Sequence, residues 1–143
     1  MPEEHTTQTA AGAEKAGRPT VLVIEDDQFL RDLVAKKLEV SQFVVLQAID
    51  GGEGLAILKD HQPDVILLDM VLPGMSGLEV LQSIKSNPKT RSVPVIILSN
   101  LGQKSDIEKA KELGAAGYMV KAHTDLNDIV KTIITTHEAG KKK

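Results

Sequence analysis

The sequence predicts an α/β fold in which five strands alternate with five helices and form one open parallel sheet with helices on both faces. Two observations support this prediction. Five short segments rich in Val, Ile and Leu recur along the chain, and helical patterns of apolar residues lie between them. Polar residues rarely interrupt the five segments, which is typical of parallel strands buried on both faces.

The predicted strands follow one another along the chain as TVLVIE, FVVLQA, DVILLD, VPVIILS and AGYMV. A helical pattern separates each strand from the next, so every connection is a crossover between parallel strands. Such crossovers are right-handed and place helices on both faces of the sheet. We therefore expect a flavodoxin-like (βα)5 architecture with strand order 2-1-3-4-5.

The predicted helices are marked by end signals as well as by apolar spacing. The first helix follows Asp27, and the third begins at Ser76 with Glu79 in the capping-box position. The fourth, QKSDIEKAKEL, is only weakly amphipathic and is stopped by Gly114. The side chains expected to face inward are Phe29, Leu30, Leu33, Val34, Leu38, Leu55, Leu58, Leu78, Leu81, Ile84, Ile107, Ala110, Leu113, Leu126, Ile129, Val130, Ile133 and Ile134.

Length, charge and the absence of cysteine limit the possible functions. The 143 residues suit one domain with a tail, and the net charge of −3 gives no basic footprint for direct binding of nucleic acid. The absence of cysteine excludes disulfides, thiolate catalysis and Cys-based zinc sites. Because no apolar run reaches membrane-spanning length and the N-terminus has no apolar signal core, we expect a soluble, cytoplasmic protein without a membrane partner.

Both ends of the chain differ from its middle. Residues 1–18 contain no large apolar side chain besides Met1, so we expect a disordered N-terminal arm. Residues 139–143 are predicted to form a basic C-terminal tail, and residues 19–138 to form one folded domain. The short segment that follows this domain is too small for an effector domain.

Polar side chains collect where the predicted strands end. Ligands of open parallel α/β sheets bind outside these carboxyl ends. Each such side chain alone has an ordinary explanation, as a helix cap, a turn residue, a loop hydroxyl or a surface charge, and a cap is the expected role of Asp27. Their convergence on one edge favours a functional site, and its candidate members are Glu25, Asp26, Asp69, Ser99 and Lys121.

The clustered acids indicate a bound cation. Two carboxylates about 4 Å apart repel each other by roughly 4 kcal/mol at an effective dielectric constant near 20. Oxygen ligands without His or Cys favour a hard divalent ion, and Mg²⁺ above the softer metals. With Lys121 expected on the opposite side of the site, an anion would lie between the two positive charges. Asp69 would then be a nucleophile for phosphoryl transfer to a carboxylate.

Four motifs in order carry a resemblance to a known family. They are VIEDD, LLDMVLPGMSG, PVIILSN and GYMVK, and with them the chain from Pro19 to His137 resembles the receiver domain of two-component response regulators. The stand-alone chemotaxis and sporulation-phosphorelay receivers are the most similar type. The resemblance implies that Asp69 is the phosphoacceptor. It also implies Mg²⁺ ligation by Asp26, by Glu25 through water, by Asp69 and by the backbone carbonyl of Val71.

The resemblance further implies a switch and its partners. Ser99 and Lys121 would each contact a phosphoryl oxygen, and Tyr118 occupies the position of the family's switch aromatic. Movement of Ser99 toward the phosphoryl group would let Tyr118 turn inward and reshape the face formed by the fourth helix, fifth strand and fifth helix. The implied partners are a histidine kinase or histidine phosphotransfer protein and a downstream effector protein. We expect a monomer that can dimerise on activation.

Three positions depart from the family pattern. Ala122 follows Lys121 where proline is usual, so the preceding peptide bond is either cis at a cost of about 2.5–4 kcal/mol or trans. Asn100 replaces the usual small residue after Ser99 and would narrow donor access or orient water. Val71 cannot orient a hydrolytic water through its side chain, so we expect slow self-dephosphorylation.

Three other functions are compatible with an open parallel α/β sheet. A flavin or nucleotide module needs a phosphate-cradling loop, but the loop after the first strand reads EDDQ and only 2% of residues are aromatic. An aspartyl phosphatase would favour a second Asp at the position of Val71. A receiver-like adaptor that works without phosphorylation stays open as the alternative, because Asn100 and Ala122 depart from the family.

Overall fold

The computed structural model describes residues 17–100 and 104–141. Most of the predicted N-terminal arm and the last two residues of the predicted basic tail lie outside these ranges. The sheet has five strands: β1 (Thr20–Ile24), β2 (Val44–Ala48), β3 (Val65–Asp69), β4 (Val95–Ser99) and β5 (Gly117–Val120). All neighbouring strands are parallel, and their order is β2-β1-β3-β4-β5, which confirms the predicted order. Each strand is one or two residues shorter than the predicted segment that contains it.

In the described part of the chain, five helices connect or follow the strands. They are α1 (Gln28–Val40), α2 (Gly51–Asp60), α3 (Gly77–Ser86), α4 (Lys104–Glu112) and α5 (Leu126–Lys141), with a short 3₁₀ turn over Lys121–His123. The last helix therefore continues past residue 138, where we predicted the domain to end. Within the described residues, no helix has both the length and the apolar character that crossing a bilayer requires.

The helix ends follow the predicted capping chemistry. The side chain of Asp27 accepts a hydrogen bond from the amide of Leu30 at the start of α1. The capping box at α3 is confirmed, since Ser76 accepts from the amide of Glu79 and Glu79 accepts from the amide of Ser76. Gly114, with φ +98°, follows the end of α4 as predicted. The hydrogen bonds of Asp27, Ser76 and Glu79 satisfy amides that a helix leaves unpaired at its first turn.

The sheet separates two apolar clusters. Alternate side chains of one strand point to opposite faces, so Leu22 and Ile24 pack with α2, α3 and α4, whereas Val21 and Val23 pack with α1 and α5. The predicted inward residues other than Phe29, Leu33 and Ile107 lie in these clusters or against them. Because the two clusters cover opposite faces of the sheet, the central strands are buried on both faces, as expected for a parallel sheet.

Two large apolar side chains, Phe29 and Tyr118, are exposed, and the first of them was predicted to face inward. Phe29 was expected on the inner face of α1, and this prediction is wrong because its side chain is 75% exposed. The inner face of α1 consists of Val34, Ala35 and Leu38, and five residues before Val34 correspond to about 140° around the helix. Tyr118 is 42% exposed because β5 is an edge strand with only β4 beside it.

Candidate functional site

The carboxyl ends of four strands bring the candidate residues together. Ile24 at the end of β1 pairs with Leu68, so Glu25 follows β1 beside Asp69, the last residue of β3. Ser99 ends β4, the next strand, and Lys121 directly follows β5. The short apolar strands thus deliver polar side chains from distant parts of the sequence to one edge of the sheet.

Three acidic residues form the centre of this edge. Carboxylate oxygens of Glu25, Asp26 and Asp69 lie within 4.8 Å of one another. Glu25 is 1% exposed and Asp69 is 2% exposed, whereas Asp26 faces solvent. Two buried carboxylates at this separation repel each other unless positive charge or hydrogen-bond donors compensate them.

Backbone amides supply part of this compensation. One carboxylate oxygen of Asp69, Oδ1, accepts a hydrogen bond of 3.1 Å from the amide of Val71. Oε2 of Glu25 accepts a hydrogen bond of 3.0 Å from the amide of Asp27. The turns after β1 and β3 therefore fix one oxygen of each buried carboxylate.

Lys121 contacts the other two oxygens. Its Nζ donates to Oδ2 of Asp69 at 3.0 Å and forms an ion pair with Oε1 of Glu25 at 3.1 Å. The expectation that Lys121 lies on the opposite side of the site is wrong for this structure. The ammonium group lies where it compensates both buried charges.

One buried oxygen is left without a hydrogen bond. Oε1 of Glu25 is buried and has no hydrogen-bond partner, because Lys121 meets it only as an ion pair. Burial, followed by the charge of Asp69, raises the pKa of Glu25 to about 7, although the Asp27 amide and Lys121 act in the opposite direction. A buried carboxylate oxygen that accepts no hydrogen bond has lone pairs available to coordinate a cation. The all-oxygen set of Glu25, Asp26 and Asp69 therefore suits a hard divalent ion.

The same contacts raise the pKa of Lys121. Burial alone would lower it, but the hydrogen bond and charge of Asp69, together with Glu25, outweigh the burial. Lys121 is therefore a permanent cation at neutral pH. The peptide bond between Lys121 and Ala122 is trans, since the described part of the chain contains no cis bond.

Ser99 and Tyr118 lie on the β4–β5 side of the site. Ser99 is fully buried, and its Oγ donates a hydrogen bond of 3.3 Å to the carbonyl of Met119. Tyr118 precedes Met119 on β5, and the Nζ of Lys111 lies 4.6 Å from the centroid of its ring. The hydroxyl of Ser99 is thus held by the strand that carries Tyr118.

Two supporting residues were missed from the sequence. Nη1 of Arg31 donates to the backbone carbonyl of Glu25 at 2.9 Å, and Nε of the same side chain donates to Oε1 of Gln47 at 3.1 Å. The only sequence signal was a basic residue in the first turns of the first helix. Gly77 was also overlooked: a Cβ at this position would lie 2.6 Å from the carbonyl oxygen of Asp69.

The family model described as "Response regulator receiver domain" matches residues 21–134. The chain belongs to the response regulator receiver family. This match includes every candidate site residue. It also includes every strand, apart from the first residue of β1. The acidic cluster, Ser99 and Lys121 of this chain therefore lie at the carboxyl ends of the strands of a receiver fold.

Curated relatives include both long and short proteins. The receiver domain is 39% identical over 103 residues to the "DNA-binding dual master transcriptional regulator RpaA" of Synechocystis, covering 72% of this chain and 43% of that protein. It is 32% identical over 113 residues to "Protein PilH" of Pseudomonas aeruginosa, covering 79% of this chain and 93% of that protein. The chain thus spans less than half the length of RpaA but most of PilH.

Solved structures show the same fold. The chemotaxis response regulator CheY4 of Vibrio cholerae superposes with a TM-score of 0.77 at 26% identity, over 83% of this chain and 98% of that chain. The Mn²⁺-bound form of response regulator Rcp1 superposes with a TM-score of 0.71 at 30% identity, over 80% of this chain and 88% of that chain.

Proposed function

We propose that this receiver domain is a phosphorylation-activated signalling protein of a two-component system or phosphorelay, and that Asp69 accepts the phosphoryl group. The single observation that supports this proposal best is the position of Asp69. Its carboxylate ends a buried strand, lies beside two further acids and contacts Lys121 at 3.0 Å. The donor would be a phosphohistidine of a histidine kinase or of a histidine phosphotransfer protein.

The proposed reaction is an in-line displacement at phosphorus. A carboxylate oxygen of Asp69 forms the new O–P bond while the P–N bond of the phosphohistidine breaks. The bonding electrons return to the imidazole nitrogen, which then takes a proton. Lys121 and the hydroxyl of Ser99 would each contact a phosphoryl oxygen, so Ser99 would exchange its hydrogen bond to Met119 for one to the phosphoryl group.

We assign Mg²⁺ to the acidic cluster, with Glu25, Asp26, Asp69 and the Val71 carbonyl as the residues that would hold it. The geometry of the three carboxylates and the buried Oε1 of Glu25, which accepts no hydrogen bond, support this assignment. Mg²⁺ at such a site neutralises charge that develops on the transferred phosphoryl group. The related structure of Rcp1 is a Mn²⁺-bound form.

The output would pass through the face of α4, β5 and α5. Moving a two-state protein from 1% to 99% active requires about 5.5 kcal/mol of differential stabilisation. Contacts from Ser99 and Lys121 to a charged phosphoryl group, at roughly 1.5–3 kcal/mol each, supply much of that amount. Tyr118 would follow Ser99 inward, and the altered face would bind a downstream effector protein in the cytoplasm. In this proposal, residues 19–138 are the receiver domain.

Intact mass tests the proposed phosphorylation. The protein is incubated with Mg²⁺ and acetyl phosphate, and we expect a gain of one phosphoryl group. The adduct should be absent from Asp69→Asn and retained by Asp60→Asn, which changes an exposed acid at the end of α2. If acetyl phosphate gives no adduct but beryllofluoride binds, rapid hydrolysis or rejection of this donor explains the result. If neither reacts, the phosphorylation-independent adaptor is the better description.

A further inference from the structure

A lysine on α4 covers the ring of Tyr118. The Nζ atom of Lys111 lies 4.6 Å from the ring centroid, within the roughly 6 Å over which an ammonium group is attracted to an aromatic face. Tyr118 as a whole residue is still 42% exposed. Lys111 therefore contacts a solvent-exposed ring on the edge strand β5.

This contact depends on the orientation of the ring. A tyrosine that turned from the surface toward Ser99 would leave the Nζ of Lys111 without its aromatic partner. An interaction present in one conformation and absent from the other shifts the equilibrium toward the first. The contact with Lys111 therefore favours the outward orientation of Tyr118.

A hydrogen bond from Ser99 restrains the neighbouring residue of β5. Oγ of Ser99 donates to the carbonyl of Met119, the residue that follows Tyr118. Lys111 and Ser99 thus contact adjacent residues of one edge strand that pairs only with β4. Release of the Ser99 contact would remove one of the two restraints, and the Lys111 contact would persist.

We propose that Lys111 is a positioning residue that holds Tyr118 outward before phosphorylation and so sets how readily the receiver is activated. This inference rests on the proposed function, because it requires Tyr118 to be the switch aromatic. Lys111 itself touches neither the acidic cluster nor a transferred group in this role. Its effect passes through the population of inward Tyr118, to which the phosphoryl site is thermodynamically coupled.

The expected effect is small but measurable. Exposed contacts of this kind change an equilibrium by about two- to fivefold. Lys111→Gln should raise the inward population of Tyr118 by that factor. Because an uncommon binding-competent state lowers apparent affinity in proportion to its population, the same variant should bind beryllofluoride about two- to fivefold more tightly. Lys111→Arg keeps a cation over the ring and should behave like the wild type.

The composition of the chain offers a selective probe. Tyr118 is the only tyrosine, and the chain has no tryptophan. Labelling with 3-fluorotyrosine therefore gives one ¹⁹F resonance that reports on this ring alone. The experiment records this resonance during a beryllofluoride titration in Mg²⁺ for the wild type, Lys111→Gln, Lys111→Arg and Lys109→Gln. Lys109 is an exposed lysine on the same helix and controls for the loss of charge.

We expect Lys111→Gln alone to shift the free resonance toward its beryllofluoride-bound position and to tighten binding. Unchanged spectra and affinity in Lys111→Gln, beside a wild type that responds, would overturn the role of Lys111 only. An equal effect of Lys109→Gln, or failure of Lys111→Arg to behave like wild type, would also overturn it. A wild type that binds no beryllofluoride and forms no adduct would instead overturn the proposed function itself. Thermal unfolding of each variant confirms that it is folded.

Discussion

The Nζ atom of Lys121 lies 3.0 Å from Oδ2 of Asp69, although the two residues are 52 positions apart in the chain. The end of the edge strand thus supplies the charge that compensates a carboxylate at the centre of the sheet. Glu25 shares this lysine through an ion pair. Lys121 is thus a charged side chain that joins the carboxyl ends of β1, β3 and β5.

Removing this lysine should make stability depend on Mg²⁺. Breaking a buried ion pair costs about 3–5 kcal/mol, and because the Lys121 side chain is 27% exposed we expect a loss of about 1–3 kcal/mol for Lys121→Gln in EDTA. Millimolar Mg²⁺ should restore more stability to the variant than to the wild type. Urea unfolding with and without Mg²⁺ measures both quantities. Lys36→Gln, at an exposed position of α1, should change neither. An Mg²⁺ response equal to that of the wild type would contradict this reading.

The raised pKa of Glu25 predicts a pH-dependent stability of the metal-free protein. The folded-state pKa of about 7 exceeds the ordinary value of 4.5, so the folded protein holds a proton that the unfolded chain has released. The resulting stabilisation is complete below pH 4.5 and is lost as pH rises through 7. We expect the unfolding free energy to fall by about 3 kcal/mol over this pH range because of this group.

Glu25→Gln isolates that contribution. Urea unfolding in EDTA between about pH 5 and 8 should show a flatter profile in Glu25→Gln than in the wild type, because the amide does not titrate. The exposed Glu108→Gln on α4 should keep the wild-type profile. Identical slopes in Glu25→Gln and the wild type would show that another group carries the pH dependence.

Gly77 should tolerate no side chain. A Cβ at this residue would lie 2.6 Å from both the carbonyl oxygen of Asp69 and the Cα of Met70, which are backbone atoms. We expect Gly77→Ala to lower stability by about 2 kcal/mol and to weaken phosphorylation, because relief of the clash moves Asp69. At Gly52 the nearest atom is 3.6 Å away, so Gly52→Ala in α2 should stabilise by up to about 1 kcal/mol. Equal effects of the two substitutions on unfolding would exclude this steric account.

The capping box of α3 should contribute measurably to stability. Ser76 accepts a hydrogen bond of 3.2 Å from the amide of Glu79, and Ala cannot replace it. We expect Ser76→Ala to cost about 1 kcal/mol in thermal or urea unfolding. Ser86→Ala removes a hydroxyl at the exposed end of the same helix and should be nearly neutral. A neutral Ser76→Ala would show that water replaces the cap.

Val71 should govern the lifetime of the phosphorylated state. Its side chain is 47% exposed beside Asp69 and carries no group that can orient water. We expect Val71→Asn or Val71→Glu to speed dephosphorylation several-fold, followed by the decay of the adduct mass after donor removal. Ile49→Asn, at another exposed apolar position at this edge of the sheet, is the control. An unchanged decay rate in both Val71 variants would count against a role for this position.

The sequence predicted the fold well because its main signals are local. Apolar strands, capping residues such as Ser76 and the stop at Gly114 report on backbone preferences that tertiary packing reinforces. The strand order also placed Glu25 beside Asp69, which the sheet register confirms. Phe29 was misplaced because one apolar residue at the start of a helix does not reveal which side the core will cover.

Side-chain contacts at the site were harder to predict. The position of Lys121 depends on the net charge of the two buried carboxylates, which is a property of the assembled edge. Arg31 reaches the Glu25 carbonyl only after α1 has folded against β2, and Gln47 then fixes its orientation. Neither arrangement has a spacing pattern that can be read along the chain.

The division of the apolar interior into two clusters has a consequence for how this molecule can diverge. Ile96 and Ile97 are adjacent on β4, yet the first packs with α1 and α5 and the second with α2, α3 and α4. Substitutions that share no packing partners combine nearly additively in stability. Each helical layer can therefore accumulate changes without requiring compensation in the other. Natural selection can then alter one surface of the molecule while the opposite surface keeps its ancestral shape.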